Sequence, residues 1–180
     1  MIAGSNICLG PMKKEYLTQY TKWMNDPEMV QYLGMIQPMT RENEEEWYEN
    51  ARKNKNAVYF AILLINGDIE ELIGNCGVDI DWKNKLGDLG ITIGEKDQWG
   101  KGYGTEAMQL LVNYCFHTLN LHKVKLNVYD FNTRAIKSYR KIGFIKEGNH
   151  RKSHYVNGKY VDLFAMGLLK DEWKQKRENA

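Results

Sequence analysis

Three glycines alternate at Gly100, Gly102 and Gly104 in the run Trp99-Gly100-Lys101-Gly102-Tyr103-Gly104. Backbone without Cβ atoms can turn successive N–H groups toward one point and form a concave seat for an anion. The helix expected to follow adds the partial positive charge of its N-terminus, and Lys101 adds a full one. A phosphate or pyrophosphate suits such a turn. Two familiar glycine-rich frames do not fit. A dinucleotide-binding fingerprint keeps two residues between its second and third glycines and opens a βαβ unit, whereas this run keeps one and follows a meander. A nucleoside-triphosphate loop needs Gly-Lys-Ser/Thr after a longer gap, which the sequence lacks.

The elements that must position this turn follow from periodicity. Residues 7–9 read as a short strand ended by Gly10-Pro11. Over 13–24, Tyr16, Leu17, Tyr20, Trp23 and Met24 recur at helical spacing, and Asn25-Asp26-Pro27 stops the helix because the residue before proline avoids helical backbone. A short helical piece over 28–33 follows. Thr40 caps the next helix, with Glu42, Glu44 and Glu45 near its positive end. Asn43 stands where a full capping box takes Glu or Gln, so a partial box is expected, with Trp47 and Ala51 on the inner face. Residues 58–65 are a continuous apolar run of β-formers, Asn66-Gly67-Asp68 is a turn, and 72–82 is a strand in which Val78, Ile80 and Trp82 alternate with Asp79 and Asp81. Lys83-Asn84-Lys85 turns into a third strand, 86–93, completing an antiparallel meander that leads into the glycine turn.

Beyond the turn, 105–119 is an amphipathic helix with Ala107, Leu110, Leu111, Tyr114, Cys115 and Thr118 near one face. A strand over 124–128, a helix over 132–142 closed by Gly143, a strand beginning at 144–146, and a hairpin at Asn157-Gly158 feeding 161–168 complete the chain. This order predicts an α/β (α+β) fold: a mixed, mostly antiparallel sheet of about seven strands with helices on both faces. One domain over residues 1–180 is expected.

The run Trp99-Gly100-Lys101-Gly102-Tyr103-Gly104-Thr105-Glu106-Ala107 resembles the signature of the Gcn5-related N-acetyltransferase family, Gln/Arg-x-x-Gly-x-Gly/Ala. Trp99 fills the first place and Gln98 lies one residue out of frame, as in the branch resembling ribosomal-protein (Rim-type) and spermidine N-acetyltransferases. Matching segments continue in order: Trp23-Met24-Asn25-Asp26-Pro27-Glu28, Leu119-Asn120-Leu121-His122-Lys123-Val124, the stretch 132–144, and the closing hairpin from 157 onward.

The resemblance implies an enzyme that moves an acetyl group from acetyl-CoA directly to a primary amine. It assigns Ile91, Thr92 and Ile93 to the pantetheine, and Trp99, Gly100, Lys101, Gly102, Tyr103, Gly104 and Thr105 to the pyrophosphate. Asn132 would bind the cofactor, and Tyr139, in the frame Asn-x-x-Ala-x-x-x-Tyr, would lie by the sulfur as proton donor. A core tyrosine packed before Gly143-Phe144 is the other reading of Tyr139. Asp88, on the strand leading to the turn, is the candidate base, or else a hydrogen-bonded or exposed strand carboxylate. A protein N-terminus, a polyamine and an amino sugar remain open as acceptors, as does a non-catalytic acyl-CoA-binding module. Carboxylates over 42–49 could attract a polycation or simply form a solvated helix face.

Composition narrows the rest. Lys and Arg total 25 against 23 Asp and Glu, a net charge of +2, and no dense basic stripe suggests a nucleic-acid partner. Cys8, Cys76 and Cys115 show neither metal-ligand nor redox spacing, so free thiols in a reducing cytoplasm are expected. The first eleven residues carry no secretory pattern, and the apolar runs 58–65 and 108–116 are too short to span a bilayer. No metal is expected, since His117 and His122 form no ligand pattern. His150 and His154 precede the final hairpin and could face the acceptor cleft, with surface placement favoured; Asp79 and Asp81 are expected to face solvent, and Trp23, Trp47 and Trp82 to serve packing. Glu106 is expected to serve the first turn of its helix. A homodimer through the last strands is the family-based expectation.

Overall fold

Extended β-forming runs and tight turns draw eight strands into one sheet in the computed structural model, which describes residues 1–34, 38–66 and 69–178. The strands are β1 (Ile2–Ala3), β2 (Ile7–Pro11), β3 (Ala57–Asn66), β4 (Ile69–Asp81), β5 (Leu86–Ile93), β6 (Lys123–Tyr129), β7 (Ile145–Val156) and β8 (Lys159–Leu169). They lie in the order β1-β2-β3-β4-β5-β6-β8-β7. The two-residue β1 has no strong sequence signal and accounts for the strand beyond the expected seven. Of the expected Asn66-Gly67-Asp68 turn, Gly67 and Asp68 lie outside the described residues. At the β7–β8 hairpin, Asn157 and Gly158 take φ 49 and φ 84, the two positive values that a two-residue Asn-Gly turn supplies.

Every neighbouring pair is antiparallel except β5 and β6, which run parallel where Leu86, Gly87 and Asp88 face Lys123, Val124 and Lys125. Pairing stops there. β5 continues to Ile93 along β4, and β6 continues to Tyr129 along β8. The two strands therefore splay, and their facing backbone groups over 89–93 and 126–129 are left for other partners.

The helices are α1 (Leu17–Met24), α2 (Pro27–Val30), α3 (Arg41–Lys53), α4 (Tyr103–His117), α5 (Thr133–Ile142) and α6 (Lys170–Glu178). Alternate residues of β2 and β3 serve opposite faces. Ile7, Leu9, Ile62 and Leu64 join the core built on Ala107, Met108, Leu111 and Phe116 of α4, while Cys8, Ala61 and Leu63 face the other way with Met12, Tyr16 and Leu72. Burial on both faces explains why 58–65 reads as a continuous apolar run. Leu17, Tyr20 and Trp23 of α1 pack with Tyr48 of α3 on that second side. Trp23 Nε1 and Gln19 Nε2 both donate to Glu95 Oε1, at 3.2 and 2.6 Å, tying α1 to the segment just after β5.

Several expectations are corrected. The capping box of α3 is complete: Thr40 Oγ1 accepts from Asn43 N at 3.2 Å, and Asn43 Oδ1 accepts from Thr40 N at 3.2 Å. An amide oxygen here does what a carboxylate usually does. The inner face of α3 is Glu44 and Tyr48, with Trp47 and Ala51 only half-buried. Trp82 is exposed, because β4 ends at Asp81 before it. Among the described residues, no helix is long and apolar enough to cross a membrane.

Glu106 reaches from the first turn of α4 to the β1–β2 connection, where it accepts from Ser5 N at 2.5 Å, Asn6 N at 2.9 Å and Asn6 Nδ2 at 3.0 Å. Burial works to raise its pKa, but these donors outweigh it and hold the carboxyl below the ordinary value of 4.5. A lowered pKa gives stability that is present above the unfolded value and is lost as pH falls through the folded one. Glu106→Gln is therefore expected to lower Tm by a few degrees at neutral pH. The gap should close on acidification below the usual carboxylate range, which thermal melts across pH would show.

Candidate active site

After Ile93 the chain makes a tight turn over 96–98, and then Gly100 and Gly102 take φ 78 and φ 93. A Cβ at either would meet open space. Gly102 is the N-cap of α4 with no side-chain cap bond, so the first N–H groups of that helix are available to an outside acceptor. Gly104 has a different part. It lies inside the first turn of α4, where a Cβ would come 3.4 Å from Ile93 Cγ1. The expected three-glycine turn is thus two glycines with positive φ and one that lets α4 pack on β5.

Trp99 braces the turn. Its Nε1 donates to the Ile93 carbonyl at 2.7 Å, and the Arg134 guanidinium lies 4.1 Å from its ring centroid. Lys101 Nζ donates to Gln98 Oε1 at 3.0 Å, and Lys101 itself does not line the cavity beneath the turn.

That cavity, of about 520 Å³, is walled by Ile91, Thr92, Ile93, Trp99, Gly100, Gly102, Tyr103, Gly104, Thr105, Asn132 and Tyr139, so apart from Lys101 the structure gathers every expected cofactor residue. Thr105 Oγ1 and Ser138 Oγ share a hydrogen bond of 2.8 Å that joins α4 to α5 across it. Sequence reading missed three cations on the same wall: Arg134, Lys137 and Lys141. Their spacing of three and four places them on one helical face, and that stripe was the available signal.

A second cavity of about 510 Å³ shares Tyr32, Leu33, Ile91, Thr92, Asn132 and Tyr139 with the first. Its remaining wall includes Trp47, Tyr59, Asp79, Tyr129 and His154. The two cavities meet where β5 and β6 separate. Tyr139 stands at that junction, its ring 5.9 Å from Phe144 and its phenol pushed up to about 12 by burial. Asn132 Oδ1 caps α5 by accepting from Ala135 N at 3.2 Å, which leaves Nδ2 for a ligand.

Asp88 is not brought to this junction. It sits where β5 and β6 still pair, with Lys125 Nζ 3.0 Å from its Oδ2, and lines a separate depression with Asp81 and Lys125. Thr92 is four residues further along the strand, about 13 Å away. Trp47 packs against the α1–α3 cluster, as expected, and also lines the second cavity, while His154 reaches that cavity rather than the surface position favoured for it. Asp79 is exposed, as expected, yet also lines that cavity and accepts from Tyr59 Oη at 2.8 Å. His150 is exposed, and His117 packs edge-on to Trp173 with ring centroids 5.0 Å apart. All three cysteines are free and buried, and burial raises the thiol pKa of Cys76 on the cavity floor, keeping it a poor nucleophile. Among the described residues, no group of three or more His, Cys, Asp or Glu is arranged to hold a metal ion.

Comparison with known proteins agrees with this geometry. The Acetyltransferase (GNAT) domain family model matches residues 6–145. The uncharacterized N-acetyltransferase p20 of Bacillus licheniformis is 31% identical over 172 residues, covering 93% of this chain and 94% of that protein. The putative ribosomal N-acetyltransferase YdaF of Bacillus subtilis is 34% identical over 103 residues, covering 55% and 56%. Spermidine N-acetyltransferase from Vibrio cholerae, solved in complex with CoA and spermine, superimposes with a TM-score of 0.87 at 23% identity over 95% of this chain and 99% of that one.

The chain belongs to the GNAT acetyltransferase family. It is an N-acetyltransferase, and acetyl-CoA is its acetyl donor. The open glycine cradle, the three cations of α5 and the slot beneath them suit the phosphates and pantetheine of that donor. Trp99→Phe keeps an aromatic ring, smaller than the indole, and loses the bond to Ile93. It is expected to weaken acetyl-CoA binding about 3- to 10-fold, the worth of one hydrogen bond of roughly 0.5–1.5 kcal/mol. Isothermal titration calorimetry would measure the change.

Proposed function

We propose that the donor occupies the first cavity and the acceptor amine the second, with transfer through the gap between β5 and β6. The observation that carries this is the position of Tyr139, a wall of both cavities. The pyrophosphate rests on the turn 99–104 and the first N–H groups of α4. The pantetheine amides pair with the free backbone edge of Ile91, Thr92 and Ile93, and Asn132 Nδ2 donates to the donor. The amine nitrogen attacks the thioester carbon, the C–S bond breaks, and the Tyr139 phenol gives its proton to the departing sulfur. Transfer is direct, in keeping with the buried, poorly acidic Cys76 thiol.

The acceptor is a primary amine on a small molecule or a peptide terminus. Aromatic walls at Trp47, Tyr59 and Tyr129, together with the Asp79 carboxylate, suit an ammonium carried on a partly apolar body. The chain acts as one domain in the cytoplasm, a setting that suits three free cysteines. It pairs as a homodimer through its last strands, since β7 is a sheet edge with Tyr155 and Tyr160 exposed at its hairpin. The test is CoA-thiol release with spermidine, glucosamine and a peptide with a free seryl N-terminus. Release with at least one is expected. Tight acetyl-CoA binding without release on any would overturn the acceptor cavity and favour a binding module.

A further inference from the structure

One strand departs from regular pairing beside the second cavity. β7 meets β8 at His150 opposite Leu163 and again at His154 opposite Val161, so three residues of β7 face the single Asp162. Lys152, inside this bulge, takes φ 48. Asp162 clasps it: one carboxylate oxygen accepts from Lys152 N at 2.9 Å and the other from Asn149 Nδ2 at 2.8 Å. Ser153 Oγ adds a bond to the His150 carbonyl at 3.1 Å. A bulge re-aims the side chains that follow it. Regular pairing would set Lys152 opposite Val161, and the bulge sets His154 there instead.

His154 thereby joins Tyr139 on the wall of the second cavity, with its ring edge toward Tyr129 at a centroid distance of 5.4 Å. Its Nδ1 lies 2.9 Å from Ser153 Oγ, which leaves Nε2 for the cavity. An acceptor amine reaches the enzyme as an ammonium ion, with no lone pair for attack. Apart from phenols and a buried thiol, the groups of this wall able to take its proton are, among the described residues, Asp79 and His154. Asp79 is exposed and already accepts from Tyr59. With Nδ1 engaged by Ser153, the imidazole of His154 has its second nitrogen to offer as a proton acceptor.

We infer that the Asp162-clasped bulge positions His154 as the general base of the transfer. The ammonium gives one proton to Nε2, and the freed lone pair forms the C–N bond to the thioester carbon. The C–S electron pair leaves with sulfur, which takes the Tyr139 phenolic proton, and the second N–H proton restores the phenol. Nε2 then returns its proton to solvent. His154 has this role only if the amine enters the second cavity, as proposed above.

The experiment follows kcat/KM against pH for native protein, His154→Gln and Asp162→Asn, with acetyl-CoA and whichever of spermidine, glucosamine or the seryl peptide releases CoA fastest. His154→Gln should be slowed about 100-fold or more near neutral pH, and its deficit should shrink about tenfold per pH unit as the amine itself becomes neutral. Acetyl-CoA affinity should not change. Asp162→Asn, which loosens the bulge, should show the same trend with a smaller deficit. A deficit that is independent of pH, or no deficit, overturns the role of His154 and leaves the acceptor cavity standing. Native protein that turns over none of the three amines overturns both.

Discussion

Tyr139→Phe is expected to lower kcat by about 100-fold or more while leaving the affinity for acetyl-CoA unchanged. The substitution removes one oxygen and keeps the ring that packs against Phe144 at 5.9 Å, so neither cavity loses its shared wall. What is lost, on the role proposed for Tyr139, is the proton for the departing thiolate. Burial pushes the phenol from 10.0 to about 12, so it stays protonated across the neutral range and can donate. The same shift gives a second readout. A phenol whose folded pKa is raised contributes stability that is fully present below its unfolded value and is lost as pH rises through the folded one. The Phe variant should therefore lose less stability than the native protein on going to strongly alkaline pH. Turnover by thiol release, affinity by calorimetry and alkaline thermal melts check the three parts, and an unchanged kcat would remove Tyr139 from the chemistry.

The second large effect belongs to the glycine turn. Gly102→Val should weaken acetyl-CoA binding by roughly 30-fold or more, about 2 kcal/mol. Gly102 holds φ 93, a region costly for an L side chain by about 1–2 kcal/mol and worst for a β-branched one. The new side chain would also project into open space at the start of α4, where the proposal seats the pyrophosphate. Gly104→Ala is the control. Its Cβ would meet Ile93 Cγ1 at 3.4 Å within a helix, so a small change in Tm and a nearly native affinity are expected. Equal losses of affinity from both variants would mean that the glycines serve packing rather than an anion.

Much of this was legible in the sequence. The Asn157-Gly158 turn, the helix stop at Asn25-Asp26-Pro27 and the alternation along β4 are local signals, each fixed by backbone chemistry within a few residues. The glycine frame at 99–104 is local too, and all of its residues but Lys101 line one cavity. α4 opened two residues earlier than expected because Gly102, rather than a polar side chain, caps it.

Asp88 shows where local signals stop. Its strand and face were readable, but its neighbour was not: Lys125 reaches it only because β6 returns in parallel after the whole of α4. Trp47 and Tyr59 form one cavity wall, with ring centroids 5.5 Å apart, because α3 packs over β3, and no helical period states that. His154 depends on a bulge clasped from the opposite strand by Asp162, so period-two reasoning along β7 alone cannot give its direction. The sequence by itself determined the element order, the glycine turn and, through the family it resembles, the donor, since these rest on interactions between near neighbours. The splay of β5 from β6, the two cavities that meet at Tyr139 and the residues lining the second of them were decided only by tertiary structure, because each depends on the register between strands far apart in the chain.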